Sequence, residues 1–223
     1  MRITKTGFRR LDVIVPLNVI SRSKARLSPL LRPAERSELT IAMLWHVLST
    51  LRKVGLFHTV IVVSGDRSVR AIAKKFGANF VWEGKRRGLN RALRLAIGKS
   101  VGKGSSAVLI VHADLPLLTP AEVVSLVVKS RGYSVTIAPA KDGSGTNALL
   151  MAPPSVLPPA FGKDSFRRHL SLVNRRKLRY RVISSRGFGF DVDGPEDFRR
   201  LMHYHPPNAT GRFMRDVSVR TPS

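Results

Sequence analysis

The sequence predicts a single α/β domain, built on one mostly parallel sheet with helices on both faces. Two observations carry that prediction. The runs Val13-Ile14-Val15, Val60-Ile61-Val62-Val63 and Ala107-Val108-Leu109-Ile110-Val111 are apolar at every position, as strands buried on both faces are. Segments with helically spaced apolar residues alternate with them across short loops, the order of a sheet wound by crossover helices. A chain of 223 residues is long enough for one such domain with a real core.

Taken in order, Leu11 to Leu17 is the first strand, and a basic loop follows it. A helix is expected from about Ala34 to Val54, where Leu39, Met43, Val47, Leu48 and Leu51 recur at helical spacing between Pro33 and Gly55. Thr59 to Val63 is the second strand, with a helix from about Ser68 to Phe76 that Gly77 stops. Asn79 to Trp82 is a short strand, and Asn90 to Ile97 a further helix. Ala107 to Val111 reads as the central strand. Behind it, Thr119, Pro120 and Glu122 supply an N-cap, a proline at the first helical position and a capping-box acid for a helix to about Ser130. Tyr133 to Ala138 and Asn147 to Met151 are strands on either side of the glycine-rich turn from Lys141 to Gly145. Asp164 can cap a helix to about Arg175, Tyr180 to Ser184 returns as a strand, and Pro195 to Met202 is a helix. Residues 204–223 show no periodicity and are expected to form a tail outside a domain of residues 1–203, fraying or draping over its surface.

Composition removes several classes of function. With no cysteine there is no disulfide scaffold, thiolate metal site or cysteine nucleophile, and a reducing compartment is allowed. No apolar run approaches the roughly 18 residues that span a bilayer, and the basic start MRITKTGFRR leads only into the first strand; a cytoplasmic protein without a membrane partner is expected. The 39 Lys and Arg against 14 Asp and Glu give a formal charge of +25, a field that draws acidic partners of every kind. Aromatic residues make up 7%, and no basic motif interleaved with stacking aromatics is present, so nucleic acid is not the expected partner. The denser clusters, Lys85-Arg86-Arg87 and Arg175 to Arg181, read as solvated faces.

In an open α/β sheet, ligands bind beyond the carboxyl ends of the strands. Asp114 stands there, three residues past the central strand. Asp191 and Asp193 are two apart, a spacing that projects both to one face of an extended segment. Three carboxylates on one hard cation, with water and phosphate oxygens completing the shell, is how Mg²⁺ is held in phosphoryl-transfer sites. The alternative for Asp191 is a turn cap before the following helix. Arg22, Lys24 and Arg26 follow the first strand at the same edge and could clamp a triphosphate and its leaving group. The turn Gly143 to Asn147 and the segment Phe161 to Phe166 offer backbone amides suited to an anion. His169 is better read as a packed or hydrogen-bonded helix residue than as a general base.

In combination, Ser23-Lys24-Ala25-Arg26-Leu27, Gly88-Leu89-Asn90, Ala113-Asp114-Leu115-Pro116-Leu117, Gly145-Thr146-Asn147-Ala148-Leu149, Gly162-Lys163-Asp164-Ser165-Phe166 with His169, and Asp191-Val192-Asp193 with Pro195-Glu196-Asp197 resemble the 2-phospho-L-lactate guanylyltransferase family. The resemblance spans about residues 11 to 201. It implies a Rossmann-like nucleotide-diphospho-sugar transferase fold and a role in the biosynthesis of the deazaflavin coenzyme F(420). Family enzymes join GMP from GTP to 2-phospholactate or phosphoenolpyruvate and release pyrophosphate. By matching position, Thr146, Gly162 and Ser165 would contact the phosphorylated acid, and Asp114, Asp191 and Asp193 would hold Mg²⁺. Lys24 and Arg26 would serve the nucleotide and the catalytic step with Asp114, and Gly88 and Asn90 would lie near the nucleotide. The glycine-rich signature that follows the first strand in the wider superfamily is replaced here by Pro16-Leu17-Asn18 and the basic loop. The rival readings are transfer to 3-phosphoglycerate or a sugar phosphate and, outside enzymes, a basic nucleic-acid-binding module. A homodimer is compatible with all of them.

Overall fold

The computed structural model describes residues 7–84 and 88–218, so Lys85-Arg86-Arg87 and the last five residues lie outside the description. Its elements are β1 (Leu11–Leu17), α1 (Pro33–Val54), β2 (Thr59–Ser64), α2 (Val69–Lys75), β3 (Asn79–Trp82), α3 (Leu89–Gly102), β4 (Ala107–Val111) and α4 (Pro120–Lys129) in the first part. The second part holds β5 (Val135–Pro139), β6 (Thr146–Met151), α5 (Ser165–Arg175), β7 (Tyr180–Val182), α6 (Arg186–Gly189), α7 (Pro195–Tyr204) and α8 (Ala209–Ser218). The strands form one sheet in the order β3-β2-β1-β4-β6-β5-β7. Every pairing is parallel except those of β6, which runs against both β4 and β5. The reversal follows from the turn between β5 and β6, which is too short for a crossover and closes a hairpin instead.

The runs that predicted the sheet are its centre. All seven residues of β1, all five of β4 and all six of β6 are buried, because helices cover both faces. One core cluster packs Val13, Val15, Leu109 and Val111 against α1 and α4, and a second packs Ile14, Val108 and Ile110 against α3 and the Val173 turn of α5. Alternate residues of each strand thus serve opposite faces. The Thr119 cap forms as expected: its Oγ1 accepts from the Glu122 amide, while Glu122 reaches back to the Thr119 amide.

Two expectations change. Asp164 stands at the N-cap of α5 in the left-handed region, with φ 54°, and makes no side-chain cap. The tail after His203 is not draped chain. Asn208 caps α8 by accepting from the Thr210 and Gly211 amides, and the helix buries Phe213 and Met214 beside Leu39 and Met43 of α1. Gly211 permits this tight start, since a Cβ there would run into the Pro206 carbonyl. The same small core takes Leu27 and Leu31 from the basic loop, together with Phe198 and Leu201 of α7. It therefore anchors the chain that carries Lys24.

Candidate active site

The order of the sheet reverses direction at β1, whose neighbours are β2 on one side and β4 on the other. A crevice opens beyond the carboxyl ends of β1 and β4, at the switch point where such sheets bind ligands. It is a small polar cleft of about 170 Å³, with Asn18, Arg22, Lys24, His112, Asp114 and Asp193 in its walls. Two larger hollows, of about 700 and 810 Å³, lie beside α1, α4 and α8 and along β3, away from these acids. We place the site in the small cleft because the paired charges are there.

Lys24 is the hinge of the charged side. Its backbone is left-handed, with φ 55°, which turns the side chain inward from a loop fixed by Leu27 and Leu31. The ammonium, 8% exposed, lies 2.6 Å from Asp114 Oδ2 and 2.9 Å from Asp193 Oδ1. Burial alone would lower the Lys24 pKa, but the two carboxylates hold it above its ordinary value. Burial likewise pushes the Asp114 carboxyl up, and the Lys24 ammonium, with His112, brings it below the usual range. Among the described residues Asp191 has no such cation. Burial first, then the negative charge of Asp114, pushes its pKa to about 6, and the hydrogen bond from Asn147 Nδ2 at 3.0 Å only partly offsets them.

The three predicted metal ligands are therefore not equivalent. Among the described residues no three acidic or histidine side chains close on one point. Asp193 is 57% exposed at its side chain and is engaged by Lys24. Among the described residues the buried Asp114 Oδ1 has no hydrogen-bond partner, and Asp191 is crowded by like charge. An orphaned carboxylate oxygen beside a second carboxyl short of positive charge is a donor set that fits a hard divalent cation. Asp191 is free for this because Asp197, not Asp191, caps α7, accepting from the Asp193 and Gly194 amides.

The neutral side of the site lies beside this cleft, outside its lining. Since β6 is antiparallel, its first residue, Thr146, comes to the edge where β4 ends, and the His112 amide donates to the Asn147 carbonyl there at 3.0 Å. Ser165, the first residue of α5, accepts from the Thr146 amide at 2.8 Å. Gly162 takes φ 112°, a conformation closed to most side chains, just before α5. Thr146, Gly162 and Ser165 are thus gathered as the sequence suggested, but several of the amides expected to serve an anion are already used. Phe161 donates to Asn90 Oδ1, Ser165 to the Gly162 carbonyl and Phe166 to the Ser144 carbonyl.

Other predicted residues fall differently. Asn90 spends both ends of its amide on the Phe161 backbone, tying the start of α3 to the loop before α5. Gly88 is the N-cap of α3, with φ 73°. Arg26 is exposed and is not part of the cleft wall. Sequence reasoning did not single out His112 or Asn147. His112 Nδ1 lies 4.0 Å from Asp114 Oδ1, and burial lowers its pKa. Asn147 holds Asp191 while bonding the Phe188 carbonyl. A polar residue at the inward end of an apolar strand was the available signal for each.

With this geometry in view, the family described as "Guanylyl transferase CofC like" matches residues 11–221. The chain belongs to this family. It is 40% identical over 203 residues to the phosphoenolpyruvate guanylyltransferase of Rubrobacter xylanophilus, covering 88% of this chain and 98% of that protein. It is 30% identical over 210 residues to the 2-phospho-L-lactate guanylyltransferase of Methanobrevibacter smithii, covering 94% and 92%. A structure from Desulfovibrio desulfuricans G20 described as a nucleotide-diphospho-sugar transferase superposes with a TM-score of 0.78 at 17% identity, over 94% of this chain and 95% of that one. That likeness establishes the nucleotidyltransferase fold. This CofC-like chain is a guanylyltransferase, and among its described residues no helix is long and apolar enough to cross a membrane.

Proposed function

We propose that the protein joins the GMP moiety of GTP to a small phosphorylated acid, phosphoenolpyruvate or 2-phospho-L-lactate, and releases pyrophosphate, as a step towards coenzyme F(420) in the cytoplasm. The observation that carries this reading is a charged wall, Lys24 with Asp114, Asp191 and Asp193, with a neutral hydroxyl wall, Thr146 with Ser165, beside it. The more similar of the two relatives described above is a phosphoenolpyruvate enzyme, which favours that acid.

In this mechanism the acid lies against Thr146, Ser165 and the side-chain-free backbone of Gly162. Its phosphate oxygen is presented to the α-phosphorus of GTP, and the bond from that phosphorus to the bridging oxygen breaks as the new one forms. Positioning and charge stabilisation do most of the work in such chemistry, which needs no protein nucleophile. Asp114, through its unpartnered oxygen, and Asp191 would hold Mg²⁺, which when bound neutralises the α- and β-phosphate oxygens. Lys24 has three N–H donors and spends two on Asp114 and Asp193, leaving the third for a phosphate oxygen. Arg22, at the mouth, adds charge for the departing pyrophosphate.

The test is pyrophosphate release from GTP with each acid in turn and with none. The reading requires release that depends on phosphoenolpyruvate or 2-phospho-L-lactate. Release only with 3-phosphoglycerate or a sugar phosphate would transfer the site to another acceptor. No acid-dependent release, together with tight salt-sensitive binding of RNA or DNA, would end the transferase reading.

A further inference from the structure

The neutral wall contains one buried titratable group to which the mechanism gives no part, His169. Its side chain is fully buried, and both ring nitrogens are engaged. Nε2 lies 3.1 Å from the Ala160 amide nitrogen, and Nδ1 lies 3.0 Å from Thr146 Oγ1. An amide N–H can only donate, so Nε2 must offer a lone pair. Burial keeps the ring neutral, with a pKa of about 4, and a neutral imidazole has a single proton. That proton is therefore on Nδ1, and Nδ1–H donates to Thr146 Oγ1.

The consequence falls on the hydroxyl. Thr146 Oγ1 accepts from the ring and has to direct its own proton elsewhere. Ser165 Oγ is in the same position, because it accepts from the Thr146 amide. Two hydroxyls of buried residues, 1% and 2% exposed, are thus each left with a proton to donate. Such a pair suits an oxyanion, to which both hydroxyls can donate.

We propose that His169 is a positioning residue that fixes the Thr146 hydroxyl as a hydrogen-bond donor to an anionic oxygen of the acceptor. The inference rests on the reading of Thr146 and Ser165 as the acceptor wall. The ring is set in place from behind: Phe161 packs edge-on to it at 4.9 Å, and Asn90 holds the Phe161 backbone at both its N–H and its carbonyl. The opposite tautomer would leave a lone pair on Nδ1, draw the Thr146 hydroxyl proton onto the ring and deprive the anion of its donor.

Long-range ¹H–¹⁵N correlation spectra of the intact wild-type protein read the tautomer directly. The expected result is a protonated Nδ1 and an unprotonated Nε2 for His169; a proton on Nε2 overturns the proposal, whatever the variants do. In kinetics, His169→Leu should raise the KM for the acid by about tenfold or more, as loss of a hydrogen bond to a charged group does. The KM for GTP should stay unchanged. His169→Asn, whose amide can donate from near the Nδ1 position, should restore most of the loss. Thr146→Val should match His169→Leu, and the double variant should be no worse than Thr146→Val alone. A raised acid KM in Thr146→Val with none in His169→Leu, or additive effects in the double variant, contradicts the positioning role alone. An unchanged acid KM in Thr146→Val overturns the acceptor-wall reading and this inference with it.

Discussion

The charged and neutral sides of the site are held by opposite means. On one, Lys24 lies between Asp114 and Asp193, and Asp191 is left short of positive charge. On the other, Thr146, Ser165 and His169 share neutral hydrogen bonds, and every ring nitrogen is satisfied. On the charged wall, no described residue bonds the buried second oxygen of Asp114. The neutral wall is complete in itself apart from two hydroxyl protons. On the function proposed above, one neutralises charge that arrives with the nucleotide, and the other gives the acid a fixed seat.

The comparison breaks most sharply at Asp114. Asp114→Asn removes the charge but keeps the shape, and pyrophosphate release should fall by about 100-fold or more, the scale expected when one element of charge stabilisation is lost. Circular dichroism should stay that of the wild type. A wild-type rate at limiting Mg²⁺ would remove Asp114 from the metal site.

Next in size is the support beneath the charged wall. Phe213 of α8 is buried in the small core that anchors the Lys24 loop, and the Asn208 cap donates to the Pro116 carbonyl, two residues past Asp114. Phe213→Ala should cost about 3–5 kcal/mol in urea unfolding. A loss below about 1 kcal/mol would mean that the tail is dispensable after all.

The neutral wall should reveal itself through pH. The folded pKa of His169, about 4, lies below its ordinary value of 6.5, so in that window the unfolded chain binds a proton that the native protein refuses. Its contribution to stability is complete above the upper value and is lost as pH falls towards the lower one, by up to about 3 kcal/mol. His169→Asn should flatten that part of the pH–stability curve, and an unchanged slope would show that His169 is not buried neutral.

The smallest effect is expected at the seam between the walls. Asn90→Ala should destabilise the fold by about 1–3 kcal/mol, the cost of leaving buried partners unpaired. It should raise the KM for the acid rather than that for GTP. A rise confined to GTP would return Asn90 to the nucleotide.

Where the sequence was informative, the signal was physical and local. The uniformly apolar runs of β1, β2 and β4 could only be strands covered on both faces, and Asp114 was visible as an acid just past such a strand. The proline and capping box of α4 were equally plain. The tail was obscured because Thr210, Gly211 and Val217 are poor helix formers, and α8 depends on its tertiary packing against α1. Lys24 looked like one of three equivalent cations after the first strand. Only its left-handed backbone, which the sequence does not announce, turns it inward onto Asp114 and Asp193. The inequivalence of Asp191 and Asp193 was hidden for the same reason, since it depends on Asn147, Lys24 and Asp197 arriving from three other elements.

The most direct test of the two-wall account is a paired measurement of both Michaelis constants in Ser165→Ala and Lys24→Met. Ser165→Ala should raise the KM for the acid by about tenfold while leaving that for GTP within about twofold, because it removes a donor from the neutral wall. Lys24→Met should do the converse. If both constants rise together in both variants, the site is not divided between nucleotide and acid in this way, and the account is wrong.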